Sequence, residues 1–138
     1  MKYDEIDYSS YNNAIEQLAK SLEYSKSDLA HSDPDFFHQF RNSVIQCFEF
    51  TYELSWKMLK RRLEADSASP DEIDNLSFKE LIKTGAEKEF IDDPLVWFKY
   101  RELRNQTAHA YSEDKASAVY SEANPLLESA KHLYSRLV

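Results

Sequence analysis

Between Trp97 and Lys115 the sequence reads WFKYRELRNQTAHAYSEDK, placing Arg104, Asn105, His109 and Tyr111 in one short window. A helix needs none of these four for packing, and each can do chemistry. Histidine gives or takes a proton near neutral pH. Arginine presents a fixed fork of donors that suits phosphate and stabilises developing negative charge. Together they could cleave RNA without a metal, the imidazole activating a 2′-hydroxyl while the guanidinium holds the phosphate.

Helical geometry restricts how these groups can meet. Five residues of helix turn through about 500°, which leaves Arg104 and His109 about 140° apart, whereas Arg104 and Tyr111 nearly line up. Arg104 and His109 converge only if the helix ends near residue 109 or if the site uses two chains. Ser112, placed to cap a following helix, favours the first arrangement; dimerisation would supply the second. Spacing alone favours the plainer reading, a surface arginine and a helix-terminal histidine.

The elements that must position this window are helical. The chain has 138 residues, enough for one domain with one core, taken as 1–138. Hydrophobic residues make up 42%, with eight Phe, nine Tyr and two Trp, too much apolar surface for a disordered chain. One Gly and four Pro argue against a β fold built on tight turns. The first helix is expected from about Ser9 to about Ala30, with Tyr11, Ile15, Leu18, Leu22 and Leu29 on one stripe. Asp33-Pro34 then pairs an N-cap with a first-turn proline. A long central helix follows, to about Ala65, with two apolar seams: Phe37, Phe40, Val44, Cys47, Thr51, Leu54 and Met58, beside Ile45, Phe48, Tyr52, Leu59 and Leu63.

Ser69 to Glu72 and Ser77 to Glu80 both have the spacing of capping boxes. The second opens a short helix that Gly85 is expected to close. Asp93-Pro94 starts the helix carrying the window. Ser112-Glu113-Asp114 caps a last helix, its core face Ala116, Val119, Ala123, Leu127, Ala130, Leu133 and Leu137, bent at Pro125. The expected fold is all-α, an antiparallel four-helix bundle with an extra short helix.

Composition also bounds function. A formal charge of −8 argues against non-specific coating of nucleic acid, which needs cations to neutralise phosphates, but leaves room for a small local site. Lys99 to Lys115 holds four basic and three acidic side chains, so the window is not a strongly basic patch. A single Cys47 cannot form an intrachain disulfide and reads as a small buried hydrophobe in a reducing compartment. No secretory leader is recognised in MKYDEIDYSS and no stretch approaches the roughly 20 apolar residues of a membrane span, so a cytoplasmic protein is expected. His31, His38 and His132 lack ligand neighbours at metal spacing, so neither metal nor cofactor is expected. One glycine cannot build a nucleotide-binding loop, so the chain is not itself a nucleotidyltransferase.

Arg104-Asn105-Gln106-Thr107-Ala108-His109-Ala110-Tyr111 resembles the Arg-x4-His-x-Tyr motif of HEPN-domain proteins, specifically the HepT toxins, in which a polar residue typically follows the Arg. Phe48 to Lys60, FEFTYELSWKMLK, resembles the long-helix signature of the nucleotidyltransferase substrate-binding proteins of the same superfamily. The resemblance runs through nearly the whole chain. It implies a homodimeric helical bundle whose two motifs face each other across a cleft, a metal-independent ribonuclease activity, and a partner of the MNT type. That partner, a small nucleotidyltransferase antitoxin, would transfer AMP to Tyr111. Arg104 would bind phosphate, His109 act as acid or base, and Asn105 orient or polarise. An alternative implied by the same branch is a non-catalytic subunit whose cleft binds the nucleotidyl acceptor. Arg101 could add a phosphate contact or lie on a solvated face. Glu53 and Lys57 form an i,i+4 pair and could flank the cleft. Trp56 reads first as a packing or interface residue and otherwise as a further residue of the cleft.

Overall fold

The computed structural model describes residues 6–138, and within them every regular element is a helix. Residues 1–5, the start of the stretch in which no secretory leader is recognised, lie outside the described residues. In chain order the helices are α1 (Ser9–Ser25), α2 (Asp28–Ser32), α3 (Pro34–Asp66), α4 (Pro70–Asp74), α5 (Phe78–Glu87), α6 (Pro94–Gln106), α7 (Glu113–Ser121) and α8 (Ala123–Leu137). A single 3₁₀ turn, Thr107–His109, continues α6. The expected all-α bundle is the fold observed.

The central helix begins where expected. Asp33 is extended and its carboxylate accepts from the Asp35 amide at 2.8 Å, with Pro34 supplying the first turn. α3 runs 33 residues, about 50 Å at 1.5 Å per residue. Cross-links fix its direction against its neighbours. Tyr11 of α1 meets Ser55 (2.8 Å), while Ser21 reaches Ser43 (3.2 Å), so α1 and α3 are antiparallel. Arg104 of α6 meets Glu53 and, one turn on, Thr107 meets Glu49, so α6 is antiparallel to α3 as well. Arg41 meets Glu113 and Arg62 meets the Leu137 carbonyl, which lays α7 and α8 parallel to α3. Val44, Phe48, Thr51 and Leu59 of α3 are wholly buried.

A buried polar relay ties three helices together. Tyr11 donates to the Ala130 carbonyl (3.1 Å), and Ser55 Oγ lies 2.8 Å from the Tyr11 hydroxyl and 2.7 Å from the Thr51 carbonyl. Burial raises the Tyr11 phenol well above its ordinary range, so it stays a neutral donor.

Several local expectations are corrected. The first helix stops at Ser25 because Ser27 starts α2, its hydroxyl accepting from the Ala30 amide at 3.2 Å. Leu29 therefore leaves the stripe and is exposed. Cys47 is only half-buried, 3.4 Å from the Ser21 hydroxyl. Phe37, Phe40 and Leu54 of the first seam are also only half-buried. The Ser77–Glu80 capping box forms reciprocally, whereas Ser69 makes no side-chain cap. Gly85 does not end α5; it is buried within it, where an added Cβ would meet Leu59 at 2.8 Å. The chain leaves α5 through Glu89, at φ 66°, with the Phe90 amide returning to the Gly85 carbonyl at 2.9 Å. The last helix is two helices, broken at Glu122 three residues before Pro125, though its predicted core face is buried throughout.

Candidate functional site

The α-helix carrying the motif ends at Gln106, tightens into one 3₁₀ turn over Thr107–His109, and turns through Ala110 to Ser112. Arg104 is thus in the last helical turn, while His109 and Tyr111 lie beyond it, so the straight-helix alignment of Arg104 with Tyr111 does not apply. The helix end near residue 109 is as expected. Ser112 occupies the N-cap position of α7 without a side-chain hydrogen bond, leaving Glu113 and Asp114 at the positive end of that helix.

The loop is anchored at both ends by α3. Thr107 donates its hydroxyl to Glu49. After the turn, Glu113 receives two donors from Arg41, at 2.7 and 2.8 Å. Arg41 is buried at 5% exposure, and its fork holds the Glu113 carboxyl down at about 2. Between these anchors His109 is exposed and Tyr111 is 87% exposed, their rings edge-on with centroids 6.1 Å apart. A tyrosine so accessible, on a backbone fixed on either side, is presented to the surroundings.

Arg104 is half-buried and turned toward α3. Its Nε donates to Glu53 Oε1 at 3.1 Å, and its two terminal nitrogens carry no partner among the described residues. Glu53 Oε2 lies 3.9 Å from Lys57, so the expected i,i+4 pair forms at the long limit of an ion pair and is worth only a few tenths of a kcal/mol.

Two grooves flank this part of α3. The first, about 440 Å³, is lined by Tyr52, Glu53, Trp56, Phe78, Arg101, Arg104 and Asn105 among others. The second contains His38, Asn42, Gln46, Glu49, Thr107 and Tyr111. The chain thus divides the motif: Arg104 and Asn105 line the first groove, Tyr111 the second, and His109 neither of the two. Arg101 is exposed and sits over the Phe78 ring at 4.7 Å, a cation–π contact. Trp56 is half-buried, edge-on to Phe78 at 6.3 Å, and lines the first groove. The sequence reading missed Arg41, Glu49 and Glu113 as supports of the site. Only the contrast of an arginine within an apolar helical seam pointed to Arg41, and nothing local named its partner 72 residues away. Phe78, half-buried against the core at the start of α5, is also a wall of the first groove.

Comparison with known proteins places this arrangement in a family. Residues 6–138 match the family described as nucleotidyltransferase substrate binding protein like. A stretch of 94 residues is 40% identical to Probable ribonuclease HepT of Haemophilus influenzae, covering 68% of this chain and 64% of that relative. The alignment thus spans a little under two thirds of the relative's length. A solved Haemophilus influenzae structure, described as revealing the fold of a substrate binding domain of a nucleotidyltransferase, superimposes with a TM-score of 0.89 at 29% identity. That superposition covers 95% of this chain and 98% of the other. The chain belongs to the HepT-like, nucleotidyltransferase substrate-binding family. Among the described residues, no helix is long and apolar enough to cross a membrane.

Proposed function

We propose that the protein is a metal-independent endoribonuclease, the toxin of a two-protein pair, acting in the cytoplasm as a homodimer with Arg104 and His109 as catalytic residues. The observation that carries this reading is the loop between Thr107 and Glu113, pinned by Glu49 and Arg41 while His109 and Tyr111 stay open to solvent. Similarity to a protein named as a ribonuclease supports it. In the proposed reaction His109 takes the proton of a ribose 2′-hydroxyl, and the 2′-oxygen bonds to phosphorus as the bond to the 5′-oxygen breaks. A protonated His109 on the facing protomer protonates that leaving oxygen. The products are a 2′,3′-cyclic phosphate and a 5′-hydroxyl end. Arg104 neutralises the charge gathering on the phosphoryl oxygens, and Asn105 orients the phosphate. Dimerisation would join the grooves that a single chain keeps apart.

Tyr111 is the proposed regulatory site. A partner nucleotidyltransferase would join the Tyr111 oxygen to the α-phosphorus of ATP and release pyrophosphate. The AMP adds bulk and negative charge where an RNA phosphate must approach. The test is cleavage of RNA in EDTA by the wild type beside His109→Ala and Arg104→Ala. Loss of cleavage in both variants is expected; equal cleavage by all three, or none by the wild type, rejects the reading. Intact mass after incubation with ATP and the partner should rise by AMP units and stay fixed in Tyr111→Phe.

A second reading is favoured by the first groove, whose aromatic and cationic lining suits capture of a small acceptor for a nucleotidyltransferase partner. On that reading the partner's acceptor binds there, and His109→Ala leaves acceptor binding unchanged.

A further inference from the structure

The groove beside Arg104 has a lining that phosphate binding alone does not require. Its wall is aromatic: Trp56 stands edge-on to Phe78 (86° between planes), and Tyr52 tilts against the same ring at 6.0 Å. Its rim is cationic, with Arg101 over Phe78 at 4.7 Å and Arg104 holding terminal nitrogens free of partners among the described residues. Lys60 adds a third cation to the lining, paired with Asp74 at 2.7 Å. Glu53, on the same lining, is neutralised locally by Arg104 and Lys57. An aromatic wall next to guanidinium groups is complementary to a planar base joined to a phosphate. A bare anion has no use for most of the groove.

We propose that this groove is a nucleotide subsite, in which a nucleobase packs on the Trp56–Phe78 wall while its phosphate meets Arg104 and Arg101. Its placement next to the scissile bond rests on the ribonuclease reading; its affinity for a base does not. Base contacts made through ring faces are tolerant of sequence, so the subsite anchors RNA in register without demanding a particular base.

The test is titration of the full chain with 5′-AMP, 5′-UMP and ribose 5-phosphate, followed by the indole N–H resonances of its two tryptophans and run beside the RNA cleavage assay. Both nucleotides should move the Trp56 signal and bind about tenfold more tightly than ribose 5-phosphate, the scale of stacking on one ring. Trp97, at 2% exposure, should stay still. Trp56→Leu should erase the preference and Trp56→Phe retain most of it. Equal binding of ribose 5-phosphate, an unmoved Trp56 signal, or no binding of either nucleotide overturns the subsite. Cleavage that needs His109 but shows none of this base preference overturns the subsite and leaves the ribonuclease. Base-preferring binding without cleavage does the reverse.

Discussion

Arg41 and Glu113 are 72 residues apart in sequence and joined by two hydrogen bonds, one to each carboxylate oxygen. Arg41 is nearly inaccessible whereas the Glu113 side chain is 70% exposed, so the buried partner sets the position of the exposed one. Through this pair α3 dictates where the chain re-enters a helix after His109 and Tyr111. Replacing Arg41 with Met keeps much of the buried volume and deletes the fork. Hydrogen exchange in residues 107–112 should then speed up while the α1–α3 core keeps its protection. Unchanged exchange in the loop would show that the pair does not hold it.

The same pair makes the loop sensitive to acid. Its hydrogen bonds to Arg41 lower the Glu113 carboxyl to about 2 in the folded state, below its unfolded value of about 4.3. A carboxylate with a depressed folded pKa adds stability that is complete above the unfolded value and lost as pH falls toward the folded one. Thermal stability should therefore decline between about pH 4.5 and pH 2, with a smaller decline in Glu113→Gln. Identical pH curves for both proteins would refute the assignment.

Removing the Tyr11 hydroxyl takes the donor from the Ala130 carbonyl and one of two contacts from Ser55, which keeps the Thr51 carbonyl. Tyr11→Phe is expected to cost about 1–3 kcal/mol in urea unfolding. A neutral result would show that water or Ser55 takes over both contacts.

Gly85 packs against Leu59, which is completely buried. Gly85→Ala improves helix propensity by about 1 kcal/mol, but the new methyl forces Leu59 off its site at about 1–3 kcal/mol. Net destabilisation of about 1 kcal/mol is expected in the same unfolding assay, and relieved by Leu59→Val. A more stable Gly85→Ala protein would mean that Leu59 has room to move.

If Arg104 acts on phosphate, Glu53 decides where its fork points. Glu53→Ala should lower RNA cleavage by about 10²-fold through misplacement of that fork, with Glu53→Gln keeping an acceptor and most of the rate. Equal loss in the two variants would point to the charge of Glu53 rather than its hydrogen bond.

The sequence made α3 and the motif helix legible because each has a strong start, Asp33-Pro34 and Asp93-Pro94, and in both the aspartate caps as expected. The break at Ser27 was hidden by a stripe that ran on to Leu29, and the end of α5 by a glycine serving packing instead of a turn. A left-handed Glu89 has no compositional flag. In the site, residue types pointed to Arg104, Asn105, His109 and Tyr111, but not to the division between grooves. That division follows from the helix ending at Gln106 and from acidic partners on α3, which are long-range facts.

The unbroken length of α3 makes it a ruler. Arg41 marks the loop's exit, Glu49 its entry and Glu53 the arginine before it, all on one rod without a proline after its first residue. One residue inserted between Arg41 and Glu49 would turn these marks by about 100° and slide them by about 1.5 Å. Such an insertion would put the loop out of phase with itself while leaving most core contacts on either side intact. The segment from 67 to 76 is tied to the same rod farther along, where Lys60 meets Asp74 at 2.7 Å, so a change of length there leaves the marks at Arg41, Glu49 and Glu53 in phase.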